Sequence, residues 1–172
     1  MTRIHKTAAA FAALLLAAGA SAASAQTFTQ GGQAVTASGT LVQNIRNPAN
    51  PAADYETHCA VQLFGTVASD GSNIVFTSYT GANVNAGPLD CQDSITFPIE
   101  VTPQGFNNIE LDQFIVGTRF FACEEYGYNL AYSSGVATFD GQWFGEPPYD
   151  ICKAEGTLTI RANSNNHLVL IQ

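Results

Sequence analysis

Polar and apolar residues alternate along most of the chain with a period of two rather than 3.6. Cys59, Val61, Leu63 and Val67 share one face of a run whose other face carries Gln62 and Thr66, the pattern of a strand buried on one side. Ile95, Phe97, Ile99 and Val101 alternate in the same way with Ser94, Thr96, Pro98, Glu100 and Thr102. Tyr126, Tyr128, Leu130 and Tyr132 alternate with Gly127, Asn129 and Ala131, and Ala137, Phe139, Gly141 and Trp143 fall on one face of a later run. Near the N-terminus, Ala34 to Ile45 reads as one long strand after a Gly31-Gly32 break, and Leu168 to Ile171 reads as the last strand. Asp70-Gly71 predicts a type I′ hairpin, and Pro98 predicts a sheet edge, where a missing N–H does no harm. Ala52 to His58 is the one helix candidate, since no window sustains capped 3.6-residue periodicity. The expectation is an all-β fold, an antiparallel sandwich or barrel of roughly 8–10 strands.

The first 25 residues break this pattern. Arg3, His5 and Lys6 precede an apolar run from Ala8 to Ala18, and Ala23-Ser24-Ala25 supplies small residues. That is the build of a removable export signal, too short to span a bilayer. Removing 25 of the 172 residues leaves 147, enough for one domain with a core. The rest divides into an N-terminal strand segment (26–46), a proline-rich loop (47–57) and the remaining strands (58–172), the first and last forming one domain. Net charge moves from −8 to −10 once Arg3 and Lys6 are gone. Such a chain repels nucleic-acid phosphates and anionic lipid, so neither is an expected partner, and no span is expected in the mature form.

Cys59, Cys91, Cys123 and Cys152 are the only cysteines, with no C-x-x-C spacing. In an exported chain an even count reads as two disulfides rather than a metal site. The pairing Cys59–Cys91 and Cys123–Cys152 is favoured because it staples each half of an internal duplication. Pro88-Leu89-Asp90-Cys91 and Pro148-Tyr149-Asp150-Ile151-Cys152 approach their cysteines alike, and Thr96 and Ile99 match Thr157 and Ile160. Repeated turn chemistry in a β protein is the competing explanation.

Catalytic motifs are absent: the chain has no G-x-S-x-G, no H-E-x-x-H and no phosphate-binding glycine loop. His58 and His167 read as strand-end or surface residues. Glu110 and Asp112 share a face opposite Ile109 and Leu111, so they read as solvated rather than as a glycosidase pair. Calcium needs only oxygen ligands, and Asp90 and Asp93 could supply two, with Glu146 and Asp150 nearby in the second half. Loop acids that keep the surface hydrated explain them better, so no metal and no cofactor are expected. Trp143, Tyr149 and Tyr126 are the residues from which a ligand platform could be built.

The export signal, the single β-rich domain, the Cys59-Ala60-Val61-Gln62-Leu63-Phe64-Gly65-Thr66-Val67 strand, the cysteine-tethered second segment and the closing Gly156-Thr157-Leu158-Thr159-Ile160 together resemble secreted proteins of the PraB type, the alkane-oxidation activator family. A second cysteine pair and the Asn47–Asp54 loop depart from that pattern. The resemblance implies an extracellular or cell-surface factor, the periplasm being the other exported location, and carries over no catalytic residue. The expected role is therefore non-enzymatic: a cell-surface or matrix protein, with a fibre or biofilm subunit, in which residues 26–46 pair with a neighbouring copy, as its narrower form. The alternative is a module binding polysaccharide or a hydrophobic ligand through its aromatic residues.

Overall fold

The computed structural model describes residues 26–46, 54–85, 90–92, 95–117, 122–145, 151–162, 168 and 170–171. The export segment 1–25, loop residues 47–53, and Asp93, Glu146, Tyr149, Asp150 and His167 lie outside the described residues.

Among the described residues ten strands follow one another: β1 (Thr27–Phe28), β2 (Ala34–Ile45), β3 (Tyr55–Val67), β4 (Ile74–Asn83), β5 (Ile99–Pro103), β6 (Asn108–Gly117), β7 (Ala122–Ser133), β8 (Val136–Phe144), β9 (Cys152–Ala162) and β10 (Leu170–Ile171). Between sandwich and barrel, the structure is a barrel: β2 to β9 pair antiparallel in sequence order and β9 returns to β2. Alternation fills it. Val35, Ala37, Leu41, Cys59, Val61, Leu63, Val101, Ile109, Leu130, Leu158 and Ile160 all point inward and are buried, and Glu110 and Asp112 face outward as expected. An eight-stranded barrel is just wide enough for its own side chains, and the remaining central void is about 30 Å3, lined wholly by apolar groups.

The two ends differ. One is covered by the two shortest strands: β1 pairs with β10, the Phe28 N–H donates to the Gly71 carbonyl at 2.8 Å, and Phe28 meets Tyr132 edge-on. Beneath them the Tyr132 hydroxyl donates to the Leu168 carbonyl at 2.6 Å. The other end carries the connections β2–β3, β4–β5, β6–β7 and β8–β9, together with both disulfides. Each disulfide joins a strand to the chain two strands on. Cys59 in β3 is bonded to Cys91 in the β4–β5 connection, and Cys123 in β7 to Cys152 in β9, with Cα separations of 5.6 and 6.0 Å. The favoured pairing is thus present, and both halves use the same connection.

Five local expectations are corrected. The helix candidate ends in strand, because β3 already runs from Tyr55, inside the stretch read as loop. The β3–β4 turn is not type I′. It spans Ala68–Asn73, only Gly71 has positive φ, and the Asp70 carboxylate accepts the Ser72 N–H at 3.0 Å. Pro98 lies just before β5 rather than at an edge, since the closed barrel has none there.

The last two corrections share a cause. Gly127 and Gly141 adopt positive φ (66° and 78°), which glycine tolerates without a Cβ clash, and each reverses which residues point inward. Before Gly127, Tyr126 turns out to solvent while Tyr128 stays in. After Gly141 the β8–β9 register shifts, so Phe144 rather than Trp143 enters the core.

Candidate functional site

Three side-chain groups offer chemistry, all on the loop-bearing half of the barrel. The first is on the outer face of β6 and β7. Tyr126 is 67% exposed, and its hydroxyl donates to Glu124 Oε1. Gln113 Nε2 donates to the same carboxylate and, at 3.2 Å, to the phenol oxygen. Gln113 and Tyr126 are register partners across the two strands, so the triangle follows from strand pairing. The hydroxyl and the amide hold the Glu124 carboxyl below its usual pKa, and bonding to that carboxylate raises the phenol's. The result is an exposed aromatic ring fixed in place, with an amide and a carboxylate beside it.

The second group is at the rim. Trp143 is partly buried, and the Arg46 guanidinium lies over its ring, 4.0 Å from the centroid. The Arg46 N–H donates to the Ile151 carbonyl at 2.6 Å, which brings the end of β2 to the start of β9. Lys153, the register partner of Trp143, pairs with Glu155 at 2.9 Å. Trp143 and Tyr126 thus stand on the neighbouring strands β8 and β7, each held by its own set of contacts. Tyr149 lies outside the described residues.

The third group is inside the wall. Phe114, Tyr128, Phe139 and Phe144 pack with ring centroids 5.4–6.2 Å apart. The Tyr128 hydroxyl is buried there without a hydrogen-bond partner. Burial, then Asp140, then Glu125 raise its pKa to about 12. The sequence pattern marked Tyr128 as core but gave no sign of the unpaired hydroxyl, nor of Arg46 over Trp143.

The remaining predicted residues are dispersed. The Asp90 carboxylate accepts the Gln92 N–H at 3.0 Å and so closes its own turn, and Asp93 lies outside the described residues. His58 Nε2 meets Glu56 Oε1 at 3.0 Å on an exposed surface. Among the described residues no three His, Cys, Asp or Glu side chains gather as metal ligands, and no helix is long and apolar enough to cross a membrane.

The family model for alkane oxidation protein activators, PraA/PraB-like, matches residues 1–168, and the chain belongs to that family. No curated protein and no solved structure matches it.

Proposed function

We propose that this PraA/PraB-like protein is an exported, non-catalytic factor that works at the cell surface or in the extracellular matrix. One observation carries the reading: all four cysteines are spent on two disulfides, and these tie together the loop-bearing end of the barrel. Such bonds form and persist in oxidising compartments, where a small domain gains most from them. Fractionating producing cells and alkylating thiols before and after reduction tests it. The protein is expected outside the cytoplasm with no thiol free before reduction; recovery from the cytosol with reactive thiols would sink the proposal.

A fibre role makes a narrower demand on the fold. β2 is held along its length by β3 on one side and β9 on the other, so residues 26–46 reach another copy only by exchanging β2 out of its own barrel. Electron microscopy and size-exclusion chromatography of the oxidised protein distinguish the cases. Filaments support exchange, and monomers under all conditions count against it.

The second reading is a binding module, favoured by two specific features. The fixed, exposed Tyr126 ring suits stacking against a sugar face, and the apolar central void suits a hydrophobic ligand. Replacing Tyr126 with alanine should abolish retention on polysaccharide if the first holds; unchanged retention removes it.

A further inference from the structure

β7 and β8 are neighbours in the barrel, yet their ladder has three pairs only and stops at Ala131–Thr138. Beyond it, β7 runs on to Ala122 paired with β6, and β8 runs on to Phe144 paired with β9. The two strands thus face each other across a seam with no ladder between them. Cys123–Cys152 closes the seam at the rim by joining β7 to β9. Aromatic rings fill it: Tyr128 packs on Phe114, Phe139 and Phe144. Phe114 and Phe139 also line the apolar central void, so the seam leads directly to the barrel interior.

One polar atom is out of place in this apolar passage. Tyr128 is 7% exposed, and its hydroxyl has no partner. A buried donor left unsatisfied is costly, so native structures rarely keep one without a reason. Two carboxylates, Asp140 and Glu125, lie near enough to act on that hydroxyl, and the chain as a whole is acidic. An anionic head group would meet like charge there. A pure hydrocarbon would leave the hydroxyl unpaired.

We infer that the β7–β8 seam is a binding site for an uncharged straight-chain alcohol. The alcohol oxygen accepts from the Tyr128 hydroxyl, its own O–H faces water at the outer lip, and its chain lies along Phe114 and Phe139 toward the central void. This rests on the hydrophobic-ligand reading above. A void of about 30 Å3 is no larger than one water's share of liquid and far below the ~150 Å3 that accepts benzene. Uptake therefore parts the seam between the Ala131–Thr138 pair and the disulfide.

The test is titration calorimetry of the oxidised protein with decane, 1-decanol and decanoate at neutral pH, for the wild type, Tyr128→Phe and Asp140→Asn. One added neutral hydrogen bond makes 1-decanol about three- to tenfold tighter than decane, with decanoate weakest. Tyr128→Phe should erase the alcohol's advantage while leaving decane unchanged, and Asp140→Asn should strengthen decanoate. Equal binding of decane and 1-decanol by the wild type, or an advantage that survives Tyr128→Phe, would overturn the alcohol site and leave the hydrophobic-ligand reading standing. No binding of any of the three would overturn both.

Discussion

Cys123 and Cys152 are bonded across the end of a strand to which neither belongs: their Cα atoms lie 6.0 Å apart, one in β7 and one in β9, with β8 between them in the barrel order. The bond sits where the β7–β8 ladder is missing. It therefore does by covalent means what main-chain pairing does elsewhere in the wall. Cys59–Cys91 does the same for β4 and β5, whose ladder is likewise three pairs, Ile74–Val101 to Phe76–Ile99.

Removing the Cys123–Cys152 bond, whose partners are 29 residues apart in sequence, by serine substitution at both positions should lower stability by about 3.6 kcal/mol, the loop-entropy value for a closed loop of this size. Denaturant unfolding measures the loss. Hydrogen exchange should quicken first along Glu124–Leu130, because that segment has a ladder on one side only and loses the covalent tie that stands in for the other. Uniform exchange across the barrel would contradict the assignment of the bond to the seam.

Two buried tyrosines should respond oppositely to loss of the hydroxyl. Tyr132 donates to the Leu168 carbonyl, so Tyr132→Phe leaves a buried acceptor unpaired and should cost about 1–3 kcal/mol. Tyr128 has no partner, so Tyr128→Phe should be neutral or stabilising. Thermal unfolding of the two variants under one condition decides the matter.

The same tyrosines set an alkaline limit. Burial raises both pKa values, that of Tyr128 to about 12. The unfolded chain therefore releases these protons at lower pH than the folded one, and the unfolded state binds fewer protons above pH 10. Stability is then fully present below about pH 10 and falls as pH rises toward the folded values. Tyr128→Phe should weaken that alkaline fall; an unchanged pH profile would show that Tyr128 contributes nothing to it.

The strands were legible because period-two alternation survives wherever one face is buried, and the cysteine pairing because each pair encloses one half of the chain. Barrel closure was not legible, since a sandwich and a barrel bury the same alternate residues; only the β2–β9 register separates them. The facing of Tyr126 and Trp143 was not legible either. A strand glycine keeps the alternation in an ordinary strand conformation and reverses it at positive φ, and the residue type is the same in both. The Tyr128 hydroxyl stayed hidden for a third reason: its isolation depends on β8 leaving β7, a relationship between distant segments.

Two glycines should therefore differ sharply on substitution. A Cβ at Gly39 would lie 2.0 Å from the Thr157 carbonyl oxygen, part of the β9 backbone, which cannot move aside without breaking the wall. Gly39→Ala should cost about 3 kcal/mol or more. At Gly127 the nearest atom would be 3.7 Å away, in the Glu110 side chain. Only the positive φ opposes Gly127→Ala, at about 1–2 kcal/mol. Equal losses in denaturant unfolding would contradict this separation of crowding from backbone strain.

Trp143 is the sole tryptophan, so its fluorescence reports the rim without ambiguity. The Arg46 guanidinium covers its ring at 4.0 Å, and a cation over a ring at a partly solvated site contributes about 0.5–1 kcal/mol. Arg46→Ala should uncover the ring, shift emission to longer wavelength and raise acrylamide quenching, with a stability loss no larger than that range. Arg46→Lys should restore part of the protection, because an ammonium retains the charge but not the flat guanidinium stack. Identical quenching in wild type and Arg46→Ala would mean that Arg46 does not shield the ring in solution. Quenching that rises together with a large loss of stability would instead show that the contact holds the end of β2 against β9, a structural role for the pair beyond its cation–π energy.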